Sequence, residues 1–249
     1  MIIPAMAGAI TFVFTTLLTI AGVGAAFILI PVFIALGIDI HEAMATALLL
    51  NSIAMVFASF HFIRTKLVMW KVAVPILIVA TALAPLGAFV SAGLNRDMLL
   101  WMFVAFLLFA SCMMLFYKSR PKDEESSRAR QLISGVSVGA FAGFLGGLLG
   151  VGGGNFIVPV LVWLGYHPKK ASATTSFIVI FSSFSGFLGH VSIGSINAPL
   201  LGLTATGSAL GALVGAWLMT EKLKQRQVKL VIGIVLLVIA AKMAWGLLT

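Results

Sequence analysis

The sequence predicts an all-α polytopic membrane protein made of two inverted repeats of about five apolar segments each, with short glycine-rich broken or re-entrant helices at the centre. Three observations predict it. The 249 residues are 61% hydrophobic and only 9% charged, where a soluble domain carries about 25% charged residues. Mean hydropathy is +1.16, and long apolar runs recur from end to end without the alternation of a membrane β-barrel. The second half of the chain also repeats the first, with Gly150 following Gly22 at an offset of 128 (150 minus 22).

The apolar segments fall at residues 2–21, 23–37, 42–63, 68–94 and 98–117, then 131–149, 151–165, 171–190, 198–219 and 229–248. About 20 apolar residues are needed to span the hydrocarbon core. Segments 23–37 and 151–165 fall short, and each directly follows a glycine cluster, so both read as half-helices or re-entrant elements. Met1-Ile2-Ile3-Pro4 lacks a basic leader, so the first segment reads as retained rather than as a signal peptide. The charged stretch 118–130, with Pro121, Asp123, Glu124 and Glu125, reads as a cytoplasmic linker between repeats 1–117 and 131–249.

The duplication is specific. Gly22-Val23-Gly24 matches Gly150-Val151-Gly152, Pro31-Val32 matches Pro159-Val160, and Ala43, Ala45 and Thr46 match Ala171, Ala173 and Thr174. Charge then orients the halves. With five segments per half, 14 of the 16 Lys and Arg fall on one side, leaving Arg96 and Lys242 on the other; parallel halves of four crossings would split them 9 to 7. Cations concentrate on the cytoplasmic side, so the inverted arrangement is expected, with both termini outside the cytoplasm. Inverted repeats with discontinuous helices at mid-depth are the architecture of secondary transporters.

The candidate site follows from the breaks. Glycine allows close backbone approach, and a half-helix N-terminus offers free N–H groups and a positive dipole end. Asn155 directly follows Gly152, Gly153 and Gly154, so these four, with Gly22 and Gly24, are the expected substrate seat. In segment 171–190, Ser172, Thr175, Ser176, Ser182, Ser183, Gly186 and His190 fall on one helical stripe. Thr174, Thr175 and Ser176 are its expected contribution to the site. Asn51 is the polar residue at the corresponding depth of the first half. The competing expectation is that these hydroxyls bond back to their own helix. Gly207, Gly211 and Gly215 form a four-residue ladder expected to pack helices.

No Lys, Arg, Asp or Glu stands at the centre of a segment. An anion would be held by backbone N–H groups, hydroxyls and amides, whereas a cation would need carboxylates. His190 and His61 are the candidates for a proton-linked role, and Asp39, His41 and Glu42 read as a solvated acidic loop. The net charge of +9 lies in short loops, so nucleic acid is not an expected partner. Cys112 sits alone in an apolar run, expected as an inert buried thiol. No metal cluster, cofactor or nucleophile set is visible, which argues against an enzyme.

Gly146-Gly147-Leu148-Leu149-Gly150-Val151-Gly152-Gly153-Gly154 with Pro159, Ala173-Thr174-Thr175-Ser176 and Ser185-Gly186-Phe187-Leu188-Gly189-His190 resemble the TauE/SafE sulfite exporters, also called the four-toluene-sulfonate uptake permease family. The first half departs from the pattern, with Ala25-Ala26 in place of Gly153-Gly154 and Ala47-Leu48 in place of Thr175-Ser176. The resemblance implies a multi-pass carrier of the bacterial inner membrane that exports sulfite, sulfonates or related organosulfur or carboxylate anions, with protons as candidate coupling ion. An uncoupled anion channel is the alternative, and a membrane enzyme or assembly scaffold the weaker one.

Overall fold

The structure is a computed structural model and describes residues 2–35, 40–91, 96–116, 128–191 and 198–248. All regular structure among them is helical: α1 (Ile2–Ala21), α2 (Ala26–Ala35), α3 (Ile40–Arg64), α4 (Trp70–Ser91), α5 (Arg96–Phe116), α6 (Arg128–Leu148), α7 (Gly154–Trp163), α8 (Pro168–Val191), α9 (Ala198–Trp217) and α10 (Gln225–Leu248). A π-turn, Leu218–Lys222, ends α9. Each of the ten expected segments matches one of the ten helices of the described residues. Their polar starts run further than hydropathy indicated: α6 begins at Arg128, inside the expected linker, and α8 at Pro168, because Lys and Arg are good helix formers that a hydropathy scan counts as breaks. Glu42 lies in the first turn of α3 rather than in a loop, where its charge suits the positive helix end. Asp39 and most of the linker lie outside the described residues.

Among the described residues, five helices are long and apolar enough to cross a membrane: α3, α4, α8, and those over Leu201–Lys222 and Gln225–Leu247. The burial pattern is that of a protein in lipid. Phe116, Trp245, Ile133, Phe109 and Phe89 are exposed, while Asn51, Asn155, Ser172, Thr174 and Ser183 are buried. Cys112 is exposed, contrary to the expectation of a buried thiol. Hydropathy cannot tell the lipid-facing side of an apolar helix from its inner side, because both are apolar.

Packing is set by small residues. α4 lies on α6, α1 on α9, α3 on α8, and α5 on α10. On α6 the ladder Gly135, Gly139, Gly143 and Gly147 faces Pro75, Ile76, Ala80 and Ala84 so closely that a methyl group on Gly139 would come within 2.8 Å of the Ile76 carbonyl. Gly207, Gly211 and Gly215 of α9 meet the carbonyls of Gly8, Phe12 and Thr16 in the same way. Backbone contact of this kind replaces the hydrophobic drive that lipid removes.

The contacts between α3 and α8 run in opposite directions. Leu48 faces Gly186, Asn51 faces Ser183, and Ser52 reaches the Ile180 carbonyl. The end of α3, the start of α8 and the π-turn meet at one end of the bundle. There His61 Nε2 lies 2.7 Å from Thr220 Oγ1, and Lys169 Nζ donates to the Thr220 carbonyl at 2.8 Å.

Candidate functional site

The two glycine breaks are built alike, bond for bond. Gly22 N donates to Thr19 O and Val23 N to Leu18 O; 128 residues on, Gly150 N donates to Gly147 O and Val151 N to Gly146 O. Gly22, Gly24, Gly150 and Gly152 all have φ between 67° and 77°, in the left-handed region open to glycine. The chain thereby stops α1 and α6 and starts the half-helices α2 and α7 at equivalent positions.

The breaks meet at the crossing of α3 and α8. A methyl group on Gly154 would stand 2.7 Å from the Val23 carbonyl, and one on Gly152 would overlap Ser183 Oγ and approach Asn51 Nδ2 at 3.1 Å. Residues 21–26 and 151–159 are buried throughout. Ser172 Oγ donates to Ala21 O at 3.0 Å and Ser182 Oγ to Gly152 O at 2.9 Å, so α8 fastens both breaks.

The two half-helix starts differ in what covers them. At α2, Asn51 Oδ1 accepts the Ala25 N–H at 2.9 Å, and Asn51 Nδ2 donates to Ser183 Oγ at 2.9 Å. The Asn51 carboxamide is thus spent as a cap and a clamp. At α7 the capping position is Gly153 (φ 78°), which supplies no side-chain cap. The Gly153 carbonyl accepts from both Phe156 N and Ile157 N, and the earlier N–H groups of a helix have no partner within it. Asn155, in that first turn, is 0% exposed, and neither its Oδ1 nor its Nδ2 has a hydrogen-bond partner. Cα–Cβ bonds lean toward a helix's N-terminus, so the idle amide leans toward the uncapped end. A buried amide without a partner costs about 1–3 kcal/mol, and proteins keep such groups where something else completes them.

The other expected site residues divide. Thr175 is buried and its Oγ1 is unpaired. Thr174 Oγ1 accepts the Met69 N–H at 3.0 Å and so serves the start of α4. Ser176 Oγ bonds back to Ser172 O at 3.0 Å, the competing expectation for the stripe. His190 is buried, and its Nε2 lies 3.1 Å from the Gly147 carbonyl; a carbonyl only accepts, so that nitrogen carries the proton. His190 ties α8 to the last turn of α6 just before the break. His61 stands at the far end of the bundle. The Thr220 hydroxyl donates to Ala216 O or Trp217 O, so its oxygen is free to accept from His61 Nε2. With His61 beside Lys169 and His190 at the other end of α8, the two rings are about 30 Å apart at 1.5 Å per residue.

A family model, "Sulfite exporter TauE/SafE", matches residues 7–243. The chain belongs to the TauE/SafE family. A probable membrane transporter protein of Bacillus subtilis is 27% identical to this TauE/SafE chain over 220 residues, covering 82% of it and 80% of the relative. One from Methanocaldococcus jannaschii is 25% identical over 204 residues, covering 76% of each. An Arabidopsis thaliana protein named "Sulfite exporter TauE/SafE family protein 1" is 39% identical over 74 residues, which is 30% of this chain and 16% of that one. No solved structure matches. This TauE/SafE protein is therefore a multi-pass membrane transporter and not an enzyme.

Sequence reasoning passed over two features of the site. The α6 glycine ladder was visible in its four-residue spacing, the same signal that marks α9. The role of Ser183 as partner to Asn51 had no sequence signal, because the two residues are 132 positions apart.

Proposed function

We propose that this transporter carries small oxyanions, such as sulfite, sulfonates or related organosulfur or carboxylate anions, and that it exports them by alternating access around the two breaks. The observation that carries the reading is the contrast between the half-helix starts: α2 is capped by Asn51, while α7 has an unpaired buried Asn155 and no side-chain cap. Free N–H groups at a helix start suit an anion, and the amide Nδ2 and the Thr175 hydroxyl add donors. Gly152, Gly153 and Gly154 supply the backbone, and Asn51, Ser182 and Ser183 hold it in place. The family name, with its sulfite exporters, supports the substrate class.

The repeats, over 1–117 and 131–249, are inverted in this reading. The antiparallel contacts of the equivalent helices α3 and α8 support it, since parallel repeats would leave those helices parallel. Arg64, Lys66, Lys169, Lys170, Lys222 and Lys224 then share the cytoplasmic side, the membrane is the bacterial inner membrane, and both termini lie outside the cytoplasm.

Labelled sulfite flux in vesicles holding the purified chain tests the seat. Saturable flux that is lost on Asn155→Leu is expected. Flux that is unchanged in that variant overturns the seat, and flux that follows only the membrane potential without saturation favours a channel.

A further inference from the structure

We propose that the α7 seat accepts singly charged oxyanions and rejects doubly charged ones, so that a weak oxyacid crosses in its monoprotonated form and carries the transported proton itself. This rests on the reading that the seat binds an anion.

The positive charge available at the breaks is small and countable. The sequence holds no Lys or Arg in residues 1–63, 131–168 or 171–221. Those spans include all of α1, α2, α7 and α9, α3 up to its last residue, and α8 beyond its first turn. What remains is the dipole end of α7, about half an elementary charge. The matching end of α2 is covered by the Asn51 carboxamide oxygen. The Asn155 and Thr175 side chains are neutral donors. A monoanion there leaves about half a charge uncompensated, and a dianion about one and a half. The Born cost of a buried charge grows with its square, about fourfold for the dianion, so the second charge is rejected out of proportion.

Among the described residues, no Lys or Arg is placed to make up the difference. α7 packs on α5, α6 and α8. Their ionisable residues are Arg96, Asp97 and the exposed Cys112 on α5, Arg128 and Arg130 at the start of α6, and Lys169, Lys170 and His190 on α8. On the α2 and α3 side stand His41 and Glu42 at the start of α3 and His61 and Arg64 at its end. All but Cys112 lie in the first or last turn of a helix. His190, whose Nε2 donates to the Gly147 carbonyl, is the titratable side chain held beside a break, so the test below includes it. The hydrogensulfite ion therefore enters with its own proton and, once released, dissociates to sulfite and a proton on the far side. Proton movement accompanies the substrate with no side chain titrating.

The test uses the full chain in vesicles and labelled sulfite, with methanesulfonate (fixed single charge) and sulfate (fixed double charge) as competitors. Methanesulfonate should compete equally at every pH, and sulfate at least about tenfold more weakly. Sulfite flux should fall with the hydrogensulfite fraction as pH rises, with the same slope in His61→Asn and in His190→Gln. Sulfate competing as well as methanesulfonate, sulfite flux flat or rising with pH, or loss of the slope in His61→Asn or His190→Gln would each overturn the proposal. Absence of flux and competition for every anion would instead overturn the anion seat itself, and this proposal with it.

Discussion

Asn51 and Asn155 are chemically identical and equally buried, and the structure assigns them different effects on stability. Asn51→Ala removes the acceptor of the Ala25 N–H and the donor to Ser183 Oγ. A buried donor left without its partner costs about 1–3 kcal/mol, so this variant should be destabilised by that amount or somewhat more. Asn155→Leu removes two buried polar atoms that have no partner and replaces them with an apolar group of similar size. Relief of the same desolvation penalty should leave the protein equally stable or up to about 1–3 kcal/mol more stable. The two variants should therefore differ by at least about 1 kcal/mol, with Asn51→Ala the less stable of the two and Asn155→Leu no less stable than the parent. Unfolding midpoints in detergent, measured by tryptophan fluorescence without added anion, read the difference directly. Sulfite should raise the midpoint of the parent and of any Asn51→Ala protein that folds, since a ligand stabilises the state it binds, but not that of Asn155→Leu. A loss of stability in Asn155→Leu equal to that of Asn51→Ala would refute the reasoning, since it would mean that Asn155 is a structural residue already satisfied in the fold.

Gly24→Ala should fold poorly: φ is 77° and the added methyl overlaps the Asn51 carboxamide, costing about 1–3 kcal/mol from the backbone alone, whereas Gly202→Ala in α9, with nothing within 4 Å, should gain about 0.5–1 kcal/mol; yields and unfolding midpoints separate the two. Gly143→Val should push α6 off α4, since even a methyl there overlaps the Ala80 backbone, and a cysteine pair across that interface should then cross-link less readily than in the parent. Thr220→Val should cost about 1 kcal/mol by removing the acceptor of His61, seen in the same unfolding assay. A reporter fused after Thr249 that is active only outside the cytoplasm should be active; cytoplasmic activity would refute the proposed topology.

The order and type of the ten helices were legible because the chain's hydropathy has one dominant cause, the lipid around it, and because glycine and proline punctuate it at a fixed offset of 128 residues. The breaks were legible too: Gly22-Val23-Gly24 and Gly150-Val151-Gly152 announce left-handed backbone, and all four glycines have it. Asn155 was found by its position after three glycines. The division of labour among the hydroxyls was not legible. A serine on a helix can bond to its own backbone, as Ser176 does, or across to another segment, as Ser172 and Ser182 do, and periodicity is the same in both cases. The lipid-facing exposure of Cys112 was hidden for a related reason, since an apolar helix carries the same residues on both sides.

By itself, then, the sequence determined the membrane class, the duplication, the family and the location of the breaks, because each is written in local composition or in spacing along the chain. Only the tertiary structure decided which asparagine is spent and which is idle. Asn51 and Asn155 differ in the partners the fold brings to them: Ala25 and Ser183 come to Asn51, and no hydrogen-bond partner comes to Asn155. Hydrogen bonds are short-ranged and directional, so partners 26 and 132 residues away in the chain become visible only once the helices cross.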